Sequence, residues 1–185
     1  LYLFSMIFVS WDEVYTWVFS DPILGDIRWS IIVTALLRSF EIALLVTVID
    51  IAIGLPMAVI LARKEFRGKA ILDTLVDLPM AVPTSALGFS MLLFWGSNAG
   101  ISSILGLETG LFSPGPILII VTHVAFTYPY IVRSMKTVIE EIDIRLEYAA
   151  RTLSAPTFSV FRTITLPLAL EGLLAGSILS FTRSL

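Results

Sequence analysis

The apolar residues of this chain are gathered into long blocks separated by polar interruptions. Crossing hydrocarbon takes about 20 predominantly apolar residues in a helix. Residues 42–62, "IALLVTVIDIAIGLPMAVILA", meet that requirement with a single charge. Residues 72–96 form a second block, interrupted by Pro79 and Pro83, and residues 116–132, "PILIIVTHVAFTYPYIV", form a third. A fourth begins near Leu168 and is unfinished at Leu185. The opening "LYLFSMIFVS" reads as the tail of a helix in preference to a signal's apolar region. The pattern predicts an all-α, polytopic membrane bundle of about five helices, the first and last incomplete, with both chain ends expected to be truncated. Residues 29–41 either lengthen the helix of 42–62 or form an interfacial one, with Arg38 and Glu41 at the boundary. No repeat or linker divides residues 1–185, so one transmembrane domain is expected.

The interruptions differ in charge. Arg63, Lys64, Arg67 and Lys69 follow the first block, and Arg133, Lys136, Arg145, Arg151 and Arg162 follow the third, nine of the twelve basic residues. Residues 97–115 have none, and residues 11–30 carry only Arg28 beside four acids. Short loops rich in Lys and Arg stay in the cytoplasm. Loops 63–71 and 133–167 are therefore expected inside a multi-pass protein of the cell membrane. Trp11, Trp17, Trp29 and Trp95 then fall near the outer boundary, where an aromatic belt sits.

Composition narrows the classes further. The chain is 57% hydrophobic and 15% charged, with a mean hydropathy of +0.92. A soluble domain needs more polar surface than that. The net charge of −3 gives nucleic acid no purchase. With no cysteine, a disulfide framework and thiolate metal sites are excluded. No phosphate-binding loop ending in Gly-Lys-Ser/Thr occurs, so the chain is not an ATPase. No catalytic residue, metal or cofactor is expected on it.

One polar stretch has its own periodicity. Across residues 140–155, Ile142, Leu146, Ala149 and Leu153 make a helical stripe, and Glu147 and Arg151 form an i, i+4 pair in the favourable order. Ala150 and Ser154 leave a face beside Glu147 with almost no bulk. Pro156 ends this helix and can open a second over residues 157–166, and Pro167 restarts the chain into the membrane. An amphipathic loop resting on headgroups would explain the stripe and the cations. It does not explain small residues beside an acid, which let another backbone come close, so docking of a protein is the better account.

The run "EYAARTLSAP…ITLP" resembles the EAA loop of ABC-transporter permeases. Glu147, Ala149 and Ala150 match the motif, Ser154 stands where a glycine is usual, and Leu166-Pro167 closes it. The likeness extends through "TYPYIVRSMKTVIEEID" and "DLPMAVPTSALGFSMLLFWG" back to "GLPMAVILAR", covering most of residues 30–185, and is nearest to the molybdate, tungstate and sulfate branch. "SFTRSL" is similar to a stretch that this branch continues with Gly-Glu. The resemblance implies a type I importer permease whose coupling loop, residues 140–167, sits in a groove of a cytoplasmic ATPase subunit. Glu147, Ala149, Ala150, Arg151, Ser154 and Pro156 would be the docking residues. It also implies ATP and Mg in that ATPase, an extracytoplasmic substrate-binding protein, and a second permease copy forming a homodimer. Ser154 is the departure: a serine held in left-handed geometry costs about 1 kcal/mol or more. Either Pro156 builds the turn differently or coupling is altered.

Within the apolar blocks, Asp50 and Arg183 are the costly residues. Counting 1.5 Å per residue puts them at similar depth, so they either pair or leave Arg183 free to attract an oxyanion. A helix restarting near Thr84–Ser85 would aim free N–H groups at an anion, or be a packing kink only. Gly54–Pro56 and Gly172–Gly176 read as a kink and as close helix packing. Ser177, Ser180, Thr182 and Ser184 either line an oxyanion's route or satisfy themselves on their own helix. His123, the only histidine, is expected to be a satisfied interior residue. The expectation is therefore the membrane subunit of an ABC importer for molybdate, tungstate or sulfate. The rivals are a permease of the same build for thiamine, iron or a polyamine, a membrane scaffold recruiting a soluble partner, and an intramembrane enzyme using Asp50, His123 and Glu171.

Overall fold

A computed structural model describes residues 9–16, 25–95 and 115–185, with positions 101 and 104 between them. The opening apolar segment, Trp17 and most of the loop from 96 to 114 lie outside the described residues. Among the described residues every regular element is helical: α1 (Trp11–Tyr15), α2 (Gly25–Arg63), α3 (Lys69–Ala81), α4 (Thr84–Trp95), α5 (Pro116–Glu141), α6 (Ile144–Thr152), α7 (Thr157–Leu168) and α8 (Leu170–Ser184). The chain divides into two compact units, Leu1–Glu41 and Ile42–Leu185. In the first, residues 29–41 belong to α2 and do not form a separate helix, and Arg38 pairs with Glu41 at 2.8 Å on an exposed face.

In the second unit, proline and charge set the helix limits. Pro83 disfavours helical geometry in the residue before it, and Val82 is extended (φ −93°, ψ 134°). The chain turns by 104° there and α4 restarts at Thr84, as the sequence predicts. Pro167 does not break the chain. It lies in the first turn of the segment that follows a π-helical turn, Phe161–Thr165, where its missing N–H is not needed. The break comes at Ala169 (φ −93°, ψ 6°), and α7 meets α8 at 70°. α5 runs on to Glu141, so Arg133 and Lys136 are helical and not in a loop. At 1.5 Å per residue its 26 residues reach about 39 Å, more than the roughly 30 Å of hydrocarbon.

Packing fixes the directions. Thr127 meets Asp50, Ile131 meets Gly54, and Ile142 meets Arg63, so α2 and α5 advance in step and are parallel. α8 runs against them, with Ser180 at Asp50, Gly176 against Ile131 and Gly172 against Ser134 and Val138. Because α2 and α5 finish at the same end, the bent pair α3–α4 must carry the chain from one end to the other. Its contacts agree. Arg133 bonds Asp77 at 2.6 Å on α3, Lys136 bonds Asp73 at 3.0 Å, and Gly88 and Leu92 of α4 share a cavity with Thr122 and His123 nearer the start of α5. The core fills the end where the basic residues gather: Ala58 and Leu61 of α2, Val76 of α3, and Ile131, Met135 and Ile139 of α5.

The α5–α8 seam requires glycine. A Cβ on Gly172 would stand 2.9 Å from the Ser134 carbonyl oxygen, and one on Gly176 would stand 3.0 Å from the Ile131 Cα. Ser134 Oγ donates to the Gly172 carbonyl at 2.8 Å across the same seam. Gly88, by contrast, faces open space. Gly172→Ala is expected to destabilise the purified protein by about 1–3 kcal/mol through overpacking. Gly88→Ala should be neutral or slightly stabilising, since alanine is the better helix former. Thermal unfolding in one detergent checks both; equal melting temperatures would show that the seam is looser than the geometry implies.

Candidate functional site

At the basic end, the chain from α5 to α8 folds back as a bent element. α5 ends at Glu141 and α6 starts anew, with the Asp143 carboxylate accepting from the Arg145 N–H at 2.9 Å. The helical pattern read across residues 140–155 is therefore two helices, because an aspartate in extended geometry caps the second. α6 ends in a Schellman turn. The Ser154 N–H bonds the Arg151 carbonyl at 2.9 Å and the Ala155 N–H bonds the Ala150 carbonyl at 3.3 Å. Ser154 takes the left-handed position itself, at φ 63°. The turn that glycine would build is built with serine, and Pro156 begins α7 beyond it.

α6 presents its faces in the reverse of the usual sense. Glu147 is buried at 7% exposure, while Leu146, Tyr148 and Leu153 are exposed, Leu153 at 84%. Phe158, just past the bend, is 72% exposed. The acid expected on a docking face is instead a fastening inside the fold. Arg63 at the end of α2 donates from Nε to Glu147 Oε1 at 2.9 Å and from Nη2 to the Ile142 carbonyl at 3.0 Å. Thr165 donates to the same carboxylate oxygen at 3.1 Å, from the π-helical turn that widens α7. The expected Glu147–Arg151 pair is not formed, because Arg63 takes the carboxylate; Arg151, Ala149, Ser154 and Pro156 are exposed, and Ala150 is half-buried. Nothing in the sequence pairs residue 63 with residue 147; the one cue is that Arg63 closes its apolar block at the level where the loop lies.

A second polar group sits between α2, α5 and α8. Asp50 is fully buried, and its Oδ2 accepts from Thr127 and Ser180, each at 2.6 Å, while Oδ1 has no partner among the described residues. Arg183, one turn beyond Ser180, is exposed, so the expected Asp50–Arg183 pair is replaced by two hydroxyls. Asp50 and Ser180 thus lie inside one copy's packing. Of the residues assigned to a path, Thr84, Ser85, Thr182 and Arg183 are exposed, and Thr182 bonds its own helix at Ile178. Ser177 and Ser184 likewise bond their own helices. His123 is half-buried beside the Ser184 backbone and is satisfied on only part of its ring. Its buried Nδ1 lacks a partner among the described residues, and the ring borders a cavity of about 240 Å³ with Gly88 and Leu92. Glu171 is exposed at the opposite end of α8 from Ser180, so it does not join Asp50 and His123 in an acid–base site.

The elements from Gly54 onward, with the fastened loop among them, coincide with a known family. The model of the binding-protein-dependent transport system inner membrane component matches residues 54–185. The chain belongs to this family. Among its relatives, the molybdenum transport system permease protein ModB of Haemophilus influenzae is 38% identical over 157 residues, covering 80% of this chain and 67% of the relative. The Escherichia coli ModB is 35% identical over 167 residues, covering 88% and 70%. The molybdate/tungstate transport system permease protein WtpB of Pyrococcus abyssi is 32% identical over 155 residues, covering 84% and 57%. Within the inner membrane component, the match takes in Arg63, Glu147 and Thr165 and leaves Asp50 just outside.

Two outcomes follow for the loop of this inner membrane component. In a double-mutant cycle of Arg63→Gln and Glu147→Gln, denaturant unfolding is expected to give a coupling of roughly 1–3 kcal/mol, and additivity would remove the pair from the fold's support. Ser154→Gly should raise stability by about 1 kcal/mol by relieving the left-handed strain, read as a higher melting temperature.

Proposed function

We propose that the chain is the membrane subunit of an ATP-driven importer for a small inorganic oxyanion: molybdate, tungstate or sulfate. The observation that carries this reading is similarity at 30–38% identity over 80% or more of the chain to relatives named as molybdenum, molybdate/tungstate and sulfate permeases. The oxyanion is bound outside by a separate binding protein and handed to a path between two copies of the chain. Cytoplasmic ATPase subunits, holding ATP and Mg, grip the bent element.

The physical support lies in the reversed α6. Large apolar side chains facing out from a charged, basic end of the bundle are costly unless another surface covers them. Leu146, Leu153 and Phe158 supply that contact, with Ala149, Arg151, Ser154 and Pro156 around them, and Glu147 acts from within by holding the element to α2. A displacement of α6 and α7 then reaches α2 through Arg63 and α8 through the chain itself. By the distribution of Lys and Arg, the basic segments 63–71 and 133–167, which include the first turn of α3 and the last turns of α5, face the cytoplasm and the protein is multi-pass in the cell membrane. Exposed Thr84, Ser85, Thr182 and Arg183 are the groups of one copy available to a shared path.

Vesicles carrying the reconstituted complex should take up at least one of labelled molybdate, tungstate and sulfate in an ATP-dependent manner. An intact complex that transports none of the three overturns the substrate assignment. Leu153→Asp with Phe158→Asp should weaken capture of the ATPase subunit by tenfold or more, on the order of 1–2 kcal/mol per lost apolar anchor. Undiminished capture would place the ATPase elsewhere.

A further inference from the structure

A cavity of about 120 Å³ opens where the last turn of α2 meets α6 and α7. A single water needs only about 10–15 Å³ on this measure, so the space admits a group the size of a phosphate. Its polar rim is Arg63, Lys64, Arg151 and Glu147. Glu147 is neutralised by Arg63, which leaves Lys64 and Arg151 in excess. Both residues are exposed, and among the described residues neither has an ion-pair partner. The remaining wall is mostly apolar, Val59 and Ile60 of α2 and Val160 and Phe161 of α7, with the hydroxyl residues Thr157 and Thr165 beside them. Ile60 is also partly exposed at 38%, so the apolar wall continues onto the outer surface of α2.

We propose that this cavity holds the phosphate of an anionic phospholipid, with Lys64 and Arg151 on the headgroup and the Val59–Ile60 and Phe161 side on the start of an acyl chain. Charge complementarity selects the anionic lipid. Two unpaired cations at the level where a helix leaves the hydrocarbon attract an anionic headgroup, and long basic side chains reach that level easily. The apolar wall selects lipid over a free anion, which would gain nothing from it. The lipid would wedge between the end of α2 and the bent element, against the Arg63–Glu147 fastening, and so tie the stiffness of that joint to membrane composition. The proposal does not depend on which substrate is transported, and because Arg151 also borders the surface assigned to the ATPase, the lipid is tested on the chain alone.

The test uses the full-length chain in detergent without its ATPase, titrated with phosphatidylglycerol or phosphatidylcholine and read by native mass spectrometry. The parent should retain one phosphatidylglycerol in preference to phosphatidylcholine. Lys64→Gln with Arg151→Gln should weaken that retention roughly 30-fold. Arg67→Gln with Arg162→Gln, exposed cations outside the cavity, should leave it unchanged. Equal retention by the first double variant, or equal binding of phosphatidylcholine, overturns the proposal. If that variant aggregates, each single variant is titrated, with a loss of roughly fivefold expected and no loss counting against. Inorganic phosphate or molybdate that stabilises the parent and displaces the lipid at equal concentration would assign the site to a free anion instead.

Discussion

The ion pair between Arg63 and Glu147 is the contact on which the cytoplasmic architecture turns. It joins residues 84 positions apart, and the same guanidinium reaches the Ile142 carbonyl where α5 ends. One side chain therefore registers the ends of α2, α5 and α6, and Thr165 brings α7 to the same carboxylate. A largely buried pair of this kind gains little over water as an isolated contact, because desolvation offsets much of the attraction. Its worth is geometric. With both partners satisfied only in one arrangement, the bent element has one position relative to the spans, and a force applied to it has somewhere definite to go.

The Asp50 group plays the corresponding part deeper in. It links α2, α5 and α8 through two hydroxyl donors on a single oxygen. The two polar groups lie on either side of the hydrophobic cluster formed by Ala58, Leu61, Ile131 and Met135. Charged or polar contacts at two levels, with close apolar packing between, specify helix register more sharply than packing of interchangeable leucines would.

Much of the fold was legible in the sequence because its causes are local. Pro83 announces the restart at Thr84, Gly172 and Gly176 announce a close seam, and the Glu-Ala-Ala run announces the loop. What was not legible depends on distant or angular information. Residue counting puts Asp50 near the level of the end of α8 but carries no azimuth, so it points to Arg183 where Ser180 and Thr127 are found. Glu147 was read as an outward acid because its partner is 84 residues away. The Ile142–Leu153 stripe does not all pack on the fold: Ile142 is half-buried, whereas Leu146 and Leu153 are exposed. An apolar face finds whichever neighbour covers it, and periodicity cannot say whether that neighbour lies in the same chain. Proline misled once: at Pro167 the π-helical turn absorbs the missing bond and moves the bend to Ala169.

The glycine seam between α5 and α8 also determines what can move. With backbone nearly touching backbone at Gly172 and Gly176, and Ser134 bonded across, neither helix has room to slide or rotate on the other by even part of a turn. They form a single stiff plank, hinged at the Ala169 elbow. Any rearrangement driven from the basic end must therefore tilt two helices as one body, so that a small angle at the elbow becomes a large sweep at the far end.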